Sequence, residues 1–243
     1  MQPTSDPDVS TDLRQPTWGL GDVALGIVIS LVASVLAVSI AVGIAGWSTN
    51  EEIPLWGQAL LQIPLWTGYL GVAWWAGRTK GNGAVIDFGI TMRPLDVPLG
   101  LVIGIALQIV VLPLLYWPIL ELSGTTSDDL GRPAEELAAK AGSQLGWILL
   151  ALIVGVGAPI VEEIFYRGLL YRSLRKKRFP VWVSTIVSAA IFGGIHFQPL
   201  QFAGLFVFGV VAALLAERTG RLGPSMWTHV GFNLTTVVIL YLS

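Results

Sequence analysis

Long apolar runs separated by short polar segments dominate the chain. Six runs contain no Asp, Glu, Lys or Arg, and they cover residues 23–50, 53–77, 97–120, 141–161, 179–216 and 222–243. A membrane-spanning helix needs about 20 apolar residues, so five of these runs suit one helix each. The remaining run, 179–216, is long enough for two short helices with a break near Gln198 and Pro199. The pattern predicts an all-α fold, a polytopic transmembrane helical bundle with about seven spans.

The composition agrees with this reading. Only 12% of the 243 residues are charged and 53% are hydrophobic, whereas soluble domains carry about 25% charged residues. The chain has no cysteine, which excludes disulfides and thiolate metal sites. The net charge is −2 without a basic tail. We therefore expect membrane lipid as a partner and no nucleic acid.

Two regions differ in character. Residues 1–22 are polar and mildly acidic, and they lack the basic start of a signal peptide. We predict that they form a disordered cytoplasmic tail. Residues 23–243 form the predicted transmembrane domain, and its polar motifs all fall within about 144–242, the predicted catalytic half.

Basic residues lie in alternate predicted loops. The loop at 78–96 is basic, the segment 172–178 carries five Lys or Arg residues, and the short loop before residue 222 carries two more. The other connections are acidic or uncharged over most of their length. Because Lys and Arg collect on the cytoplasmic side, we expect a cytoplasmic N-terminus and an external C-terminus. The expected location is a prokaryotic plasma membrane.

The fourth predicted helix, 144–174, ends its apolar run at two adjacent carboxylates, Glu162 and Glu163. Charges at membrane depth are costly and indicate a functional site. Arg167 follows Glu163 by four residues, so the two side chains share a helix face and can form an ion pair. Glu162 points elsewhere. In a low dielectric such a carboxylate can act as a general base toward water.

Both histidines of the chain lie in later apolar segments. Phe192 and His196 are four residues apart near the end of the fifth helix, and His229 and Asn233 are four apart in the seventh. Each pair therefore shares one helix face. Taken singly, His196 could be a helix-end residue that meets water, and His229 with Asn233 could form a hydrogen-bond clamp between helices.

Taken together, these groups suit peptide hydrolysis. Glu162 would take a proton from water, and His196 would hold that water. His229 and Asn233 would donate hydrogen bonds to the developing oxyanion. An alternative is zinc held by Glu162, His196 and His229, a ligand set known from catalytic sites. The His-Glu-x-x-His spacing of zinc proteases is missing, so the two histidine ligands would come from separate helices. We predict no cofactor and keep zinc as the alternative.

The three motifs resemble those of the CPBP family, which comprises the CAAX-processing proteases and the bacteriocin-processing proteins, also called the Abi family. They are Glu162-Glu163-x-x-x-Arg167, Phe192-x-x-x-His196 and His229-x-x-x-Asn233. The resemblance implies an intramembrane endopeptidase, similar to the type II CAAX prenyl endopeptidases, with a cavity open to the cytosol. It implies that Glu162 acts on water with His196, and that His229 and Asn233 stabilise the oxyanion. Glu163 and Arg167 complete the first motif, and Phe192 supports the second.

The resemblance leaves the substrate open. We expect a membrane-associated peptide or protein, with prenylated ones among the candidates. Some relatives are thought to act as scaffolds without proteolysis, so a membrane scaffold or regulator of the same fold is the alternative function. A proton-coupled transporter is a weaker alternative, because such proteins are commonly built from internal repeats and this chain shows none.

Overall fold

The computed structural model describes residues 13–47 and 53–243. This part of the chain is all-α, which confirms the predicted fold class. Its helices are α1 (Leu20–Ala45), α2 (Leu55–Lys80), α3 (Ala84–Phe88), α4 (Asp96–Ser123), α5 (Ser127–Ala139), α6 (Gln144–Lys176), α7 (Val181–Gly194), α8 (Phe202–Thr219) and α9 (Gly223–Leu242). The seven predicted spans correspond to α1, α2, α4 and α6 to α9. The two short helices, α3 and α5, lie in the polar connections.

The long helices identify an integral membrane protein. Among the described residues, α1, α4, α6 and α8 are each long and apolar enough to cross a membrane, and α7 is a shorter apolar helix. Their outward faces carry large apolar side chains such as Val35, Ile44 and Trp117, which are 64%, 83% and 72% exposed. A bilayer accommodates such side chains, whereas water would not.

The predicted tail and first loop fall partly outside the described residues. The structure does not describe residues 1–12 or the loop residues Glu51 and Glu52. The described remainder of the tail contacts the bundle. The Thr17 amide donates to the Lys80 carbonyl at 2.6 Å, and the Trp18 indole N–H donates to Asp87 at 3.0 Å. Helix α1 begins at Leu20, three residues before the predicted start.

Helices α4 and α9 pack closely because glycines line their contact. A Cβ added to Gly104 of α4 would lie 2.5 Å from the backbone nitrogen of Phe232, and one added to Gly231 of α9 would lie 2.7 Å from the Leu101 carbonyl oxygen. Small residues allow helix backbones in membranes to approach each other. This contact fixes the position of α9, which carries two of the predicted site residues.

Helix α6 departs from regular α geometry on both sides of its paired glutamates. Residues Ala151–Gly157 and Glu163–Tyr171 have the wider π-helical hydrogen bonding, and the short α segment between them contains Pro159. Proline has no N–H to donate to the preceding turn. Wide turns of this kind are frequent at functional sites, and here they lie on both sides of Glu162.

Gly104→Ala tests the α4–α9 contact. The added methyl group has no room, so we expect destabilisation by about 1–3 kcal/mol, as is usual for overpacking. The measurement is the free energy of unfolding in detergent micelles. The matched control is Gly71→Ala in α2, where an added Cβ meets nothing within 4 Å. If both variants unfold like the wild type, close glycine packing does not determine the position of α9.

Candidate active site

A buried ion pair in α6 forms the base of the site. Arg167 Nη1 donates to Glu163 Oε1 at 2.8 Å, and both side chains are fully buried. The four-residue spacing predicts this pairing. Arg167 Nη2 also donates to the Gly209 carbonyl of α8 at 3.3 Å, and its guanidinium carbon lies 4.4 Å from the centre of the Phe192 ring. These contacts offset the cost of removing both charges from water.

His229 of α9 lies between the two glutamates. Its Nδ1 is 3.0 Å from Glu163 Oε1, and its Nε2 is 3.8 Å from Glu162 Oε2. A carboxylate oxygen accepts, so Nδ1 carries the proton in this hydrogen bond. Glu163 thus fixes the orientation of the imidazole ring and leaves its Nε2 edge facing Glu162. The sequence motifs did not reveal this link between the first and the third motif.

The two glutamates differ in their surroundings. Glu163 is fully buried and paired, whereas the Glu162 side chain keeps 17% of its surface exposed. Part of the Glu162 side chain is therefore accessible. The predicted division between a structural Glu163 and a reactive Glu162 stays a prediction.

Two phenylalanines hold the imidazole rings. Phe192 is completely buried, and its ring centre lies 4.9 Å from that of His196 and 5.8 Å from that of His229. It therefore contacts both imidazoles, and its predicted supporting role stays a prediction. Phe208 of α8 lies closer still to His229, at 4.4 Å. Phe208 was not predicted, because an aromatic residue in an apolar helix carries no distinguishing signal.

His196 lies just beyond the end of α7 instead of within the helix. Its Nδ1 is 2.7 Å from the Phe192 carbonyl oxygen, so this nitrogen donates the proton. In the neutral ring, Nε2 is then the nitrogen with a free lone pair. The next residue, Phe197, has a positive φ of 54° and is 74% exposed. A bulky residue in that conformation is uncommon and marks strained backbone beside the histidine.

Asn233 joins α9 to α6. Its Nδ2 donates to the Val154 carbonyl at 2.8 Å, and Val154 belongs to the first π-helical segment. A widened turn disturbs the regular pairing of backbone carbonyls, and side chains commonly satisfy the freed groups. This contact is the interhelical clamp that the sequence left open as an alternative. The oxyanion role of Asn233 stays a prediction.

A pair of tyrosines lies beside the glutamates. The hydroxyl oxygens of Tyr69 in α2 and Tyr166 in α6 are 2.9 Å apart, and both side chains are buried. The Tyr69 ring also stacks on Phe165 with 4.2 Å between ring centres. Tyr166 follows Glu162 by four residues, and that spacing could have been noticed. Nothing in the sequence connects Tyr69 with the motifs.

The predicted zinc ligands do not form a metal site in this arrangement. Within residues 13–47 and 53–243, no group of three His, Cys, Asp or Glu side chains is placed to hold a metal ion. Glu162 approaches His229, while His196 donates its Nδ1 proton to a backbone carbonyl and keeps Nε2 free. Histidines that bind zinc make the same kind of hydrogen bond through their second nitrogen, so the arrangement lacks a formed zinc site without deciding between the two chemistries. The absence of a cofactor stays a prediction.

Comparison with known proteins agrees with the resemblance read from the motifs. Residues 144–235 match the family model described as type II CAAX prenyl endopeptidase Rce1-like. The chain is also 27% identical over 113 residues to a Bacillus subtilis (strain 168) protein named "Putative membrane peptidase YdiL". That alignment covers 46% of each chain, so the chain spans about half the length of this relative. No solved structure matches.

Arg167→Met tests the buried ion pair. Removing the guanidinium leaves the Glu163 carboxylate buried without its partner, so we expect a loss of about 3–5 kcal/mol in unfolding free energy. Chemical unfolding in detergent provides the measurement. The matched control is Arg132→Met in α5, where the pair with Asp129 is largely exposed and should contribute little. Equal effects of the two substitutions would contradict the structural role of Arg167.

Proposed function

We propose that this protein is an intramembrane endopeptidase that hydrolyses a peptide bond of a membrane-associated or lipidated substrate with water activated by Glu162. The observation that carries the proposal is the pairing of two unlike carboxylates. Glu163 is buried and neutralised by Arg167, while Glu162 stays partly exposed beside His229. The similarity of residues 144–235 to the CAAX prenyl endopeptidases supports proteolysis.

In the proposed reaction, Glu162 takes one proton from a water molecule as the water oxygen attacks the peptide carbonyl carbon. The carbonyl oxygen becomes an oxyanion, and the carbon becomes tetrahedral. The C–N bond then breaks, and the proton held by Glu162 passes to the leaving nitrogen. The products are a carboxyl group and an amine, and Glu162 returns to its ionised state.

The histidines and the asparagine assist this reaction in distinct ways. The unprotonated Nε2 of His196 accepts a hydrogen bond from the attacking water. His229 and Asn233 lie one helical turn apart on α9 and donate hydrogen bonds to the oxyanion. Because the Nδ1 proton of His229 is bonded to Glu163, this donation uses a second proton on Nε2, so His229 acts as an imidazolium. Glu163 supports this step because it holds His229 through Nδ1. A preorganised donor is effective because it does not reorient during the reaction.

The proposed substrate is a peptide or protein held at the membrane, prenylated substrates included. The family name supports this class, since it refers to CAAX prenyl endopeptidases. Basic residues cluster at the end of α6 and in the loop after α8, which supports a cytoplasmic location for those ends. The proposed orientation therefore has the N-terminus in the cytosol of a prokaryotic cell and the C-terminus outside.

A scaffold without proteolysis is the second candidate function. The observation that favours it is that Glu163, Arg167, His229 and Asn233 all make contacts that hold α6, α8 and α9 together. Such a scaffold would depend on Arg167 but would tolerate the loss of the Glu162 charge. The two candidates therefore differ in their response to one conservative substitution.

Glu162→Gln distinguishes the two functions. It preserves size and removes the base, so we expect cleavage to fall by at least about 100-fold, within the usual range for a general base. The measurement compares the termini of membrane proteins in cells that express the wild type or the variant at matched levels. Glu121→Gln, at the exposed end of α4, is the control and should cleave normally. Identical termini in all three strains would favour the scaffold.

Chelation tests the proposed metal-free reaction. Because the candidate ligands do not converge on one point, we expect cleavage by purified protein to continue at an unchanged rate in 1,10-phenanthroline. A prenylated CAAX-type peptide with a fluorophore and a quencher on either side of the scissile bond gives the rate. Loss of activity that stoichiometric zinc restores would contradict the metal-free mechanism.

A further inference from the structure

We infer that Tyr69 of α2 is a positioning residue for the reaction, because it directs the Tyr166 hydroxyl to donate a hydrogen bond to the Glu162 carboxylate. The inference rests on the proposed function of Glu162 as the base. It extends the site to a helix that lies outside the matched residues 144–235.

The first support is the geometry of the two hydroxyls. They are 2.9 Å apart, and Tyr69 and Tyr166 are 3% and 1% exposed. In the described part of the chain, each hydroxyl makes its side-chain hydrogen bond to the other hydroxyl. Both rings are fixed, because Tyr69 stacks on Phe165 and Tyr166 meets Phe192 edge-on at 5.3 Å. The hydroxyls cannot easily move away from each other.

The second support is a count of protons. Two hydroxyls have two protons, and the bond between them uses one. The other proton is left inside the bundle, where an unsatisfied donor is costly. It therefore needs an acceptor other than the partner hydroxyl.

The third support identifies that acceptor. Tyr166 follows Glu162 by four residues, which is close to one helical turn, so the two side chains leave α6 on the same side. The Glu162 charge also interacts electrostatically with both tyrosines. A negative carboxylate favours O–H bonds that point toward it. The structure itself has no direct hydrogen bond between Tyr166 and Glu162, and the proposed bond forms when the Glu162 side chain changes rotamer. Tyr69 then donates to Tyr166, and Tyr166 donates to Glu162, an order in which each hydrogen bond strengthens the next.

This arrangement gives the Tyr69 hydroxyl a role in orienting the proposed base. Glu163 is fixed by Arg167 and His229, whereas Glu162 has no direct ion pair closer than the 3.8 Å contact with His229. A directed hydroxyl restricts the rotation of the Glu162 carboxylate and leaves its second oxygen to accept the proton of water. The N-terminal half of the bundle thus helps to orient the proposed base.

Tyr69→Phe tests the inference, because it removes one hydroxyl and keeps the ring that stacks on Phe165. With the quenched prenylated CAAX-type peptide in proteoliposomes, we expect kcat to fall about tenfold and KM to stay the same. A factor of ten lies at the upper end of what one hydrogen bond between neutral groups contributes, and the bond lost here joins two hydroxyls. In a Tyr166→Phe background the same substitution should have no further effect on kcat, since the intermediate donor is already missing.

Tyr116→Phe is the matched control. Tyr116 is also a buried tyrosine, and its hydroxyl accepts a hydrogen bond from the Gly204 amide at 2.8 Å. It lies in α4 and is not part of the catalytic machinery. We expect this variant to lose some thermal stability and to keep its kcat. The comparison separates positioning of the base from general loss of packing.

Infrared spectroscopy gives a second readout that does not need a substrate. The Glu162 carboxyl band is assigned by its disappearance in Glu162→Gln, and we expect Tyr69→Phe to shift it and Tyr116→Phe to leave it in place. If the wild type shows Glu162-dependent cleavage, then an unshifted band or an unchanged kcat in Tyr69→Phe overturns this inference alone. A wild type without Glu162-dependent cleavage overturns the proposed function, and the catalytic role of Tyr69 with it.

Discussion

Two opposite charges inside a membrane protein must neutralise each other, and the packing around Glu163 and Arg167 follows from that requirement. The guanidinium contacts the carboxylate within α6, the Gly209 carbonyl of α8 and the Phe192 ring of α7. The carboxylate accepts a hydrogen bond from His229 of α9. Four helices therefore meet at one ion pair, and an isolated charge at that depth would be far more costly than the pair.

The same ion pair determines the chemical difference between the adjacent carboxylates. Arg167 is committed to Glu163, so Glu162 lacks a direct cationic partner on its own helix. His229 contacts Glu163 through one nitrogen and faces Glu162 with the other. One glutamate is thus a fixed support, and the other is accessible and is the proposed base. A single charge cluster provides both the stability of the bundle and the reactivity of the proposed site.

Irregular helix geometry connects the cluster to the rest of the molecule. The π-helical segments before and after Glu162 change the directions of side chains and backbone carbonyls in α6. Asn233 binds one of those carbonyls, and glycines between α4 and α9 let α9 approach closely enough for His229 to reach the glutamates. Tyr69 and Tyr166 add a contact with α2 on another side of the site. The positions of the functional groups therefore depend on helices that carry none of the three motifs.

The sequence by itself determined the helical class, the apolar helices and the pairing of Glu163 with Arg167. Those features follow from the length of apolar runs and from spacing along one helix, which are local properties. Which side chains meet across helices was decided by tertiary packing. Sequence reasoning paired Glu162 with His196 and His229 with Asn233, whereas the structure places His229 between both glutamates and bonds Asn233 to Val154. It also brings in Phe208 and Tyr69, which no spacing rule identifies. Such contacts depend on helix rotation, on π-helical turns and on glycine-mediated approach, and no single segment of sequence fixes these.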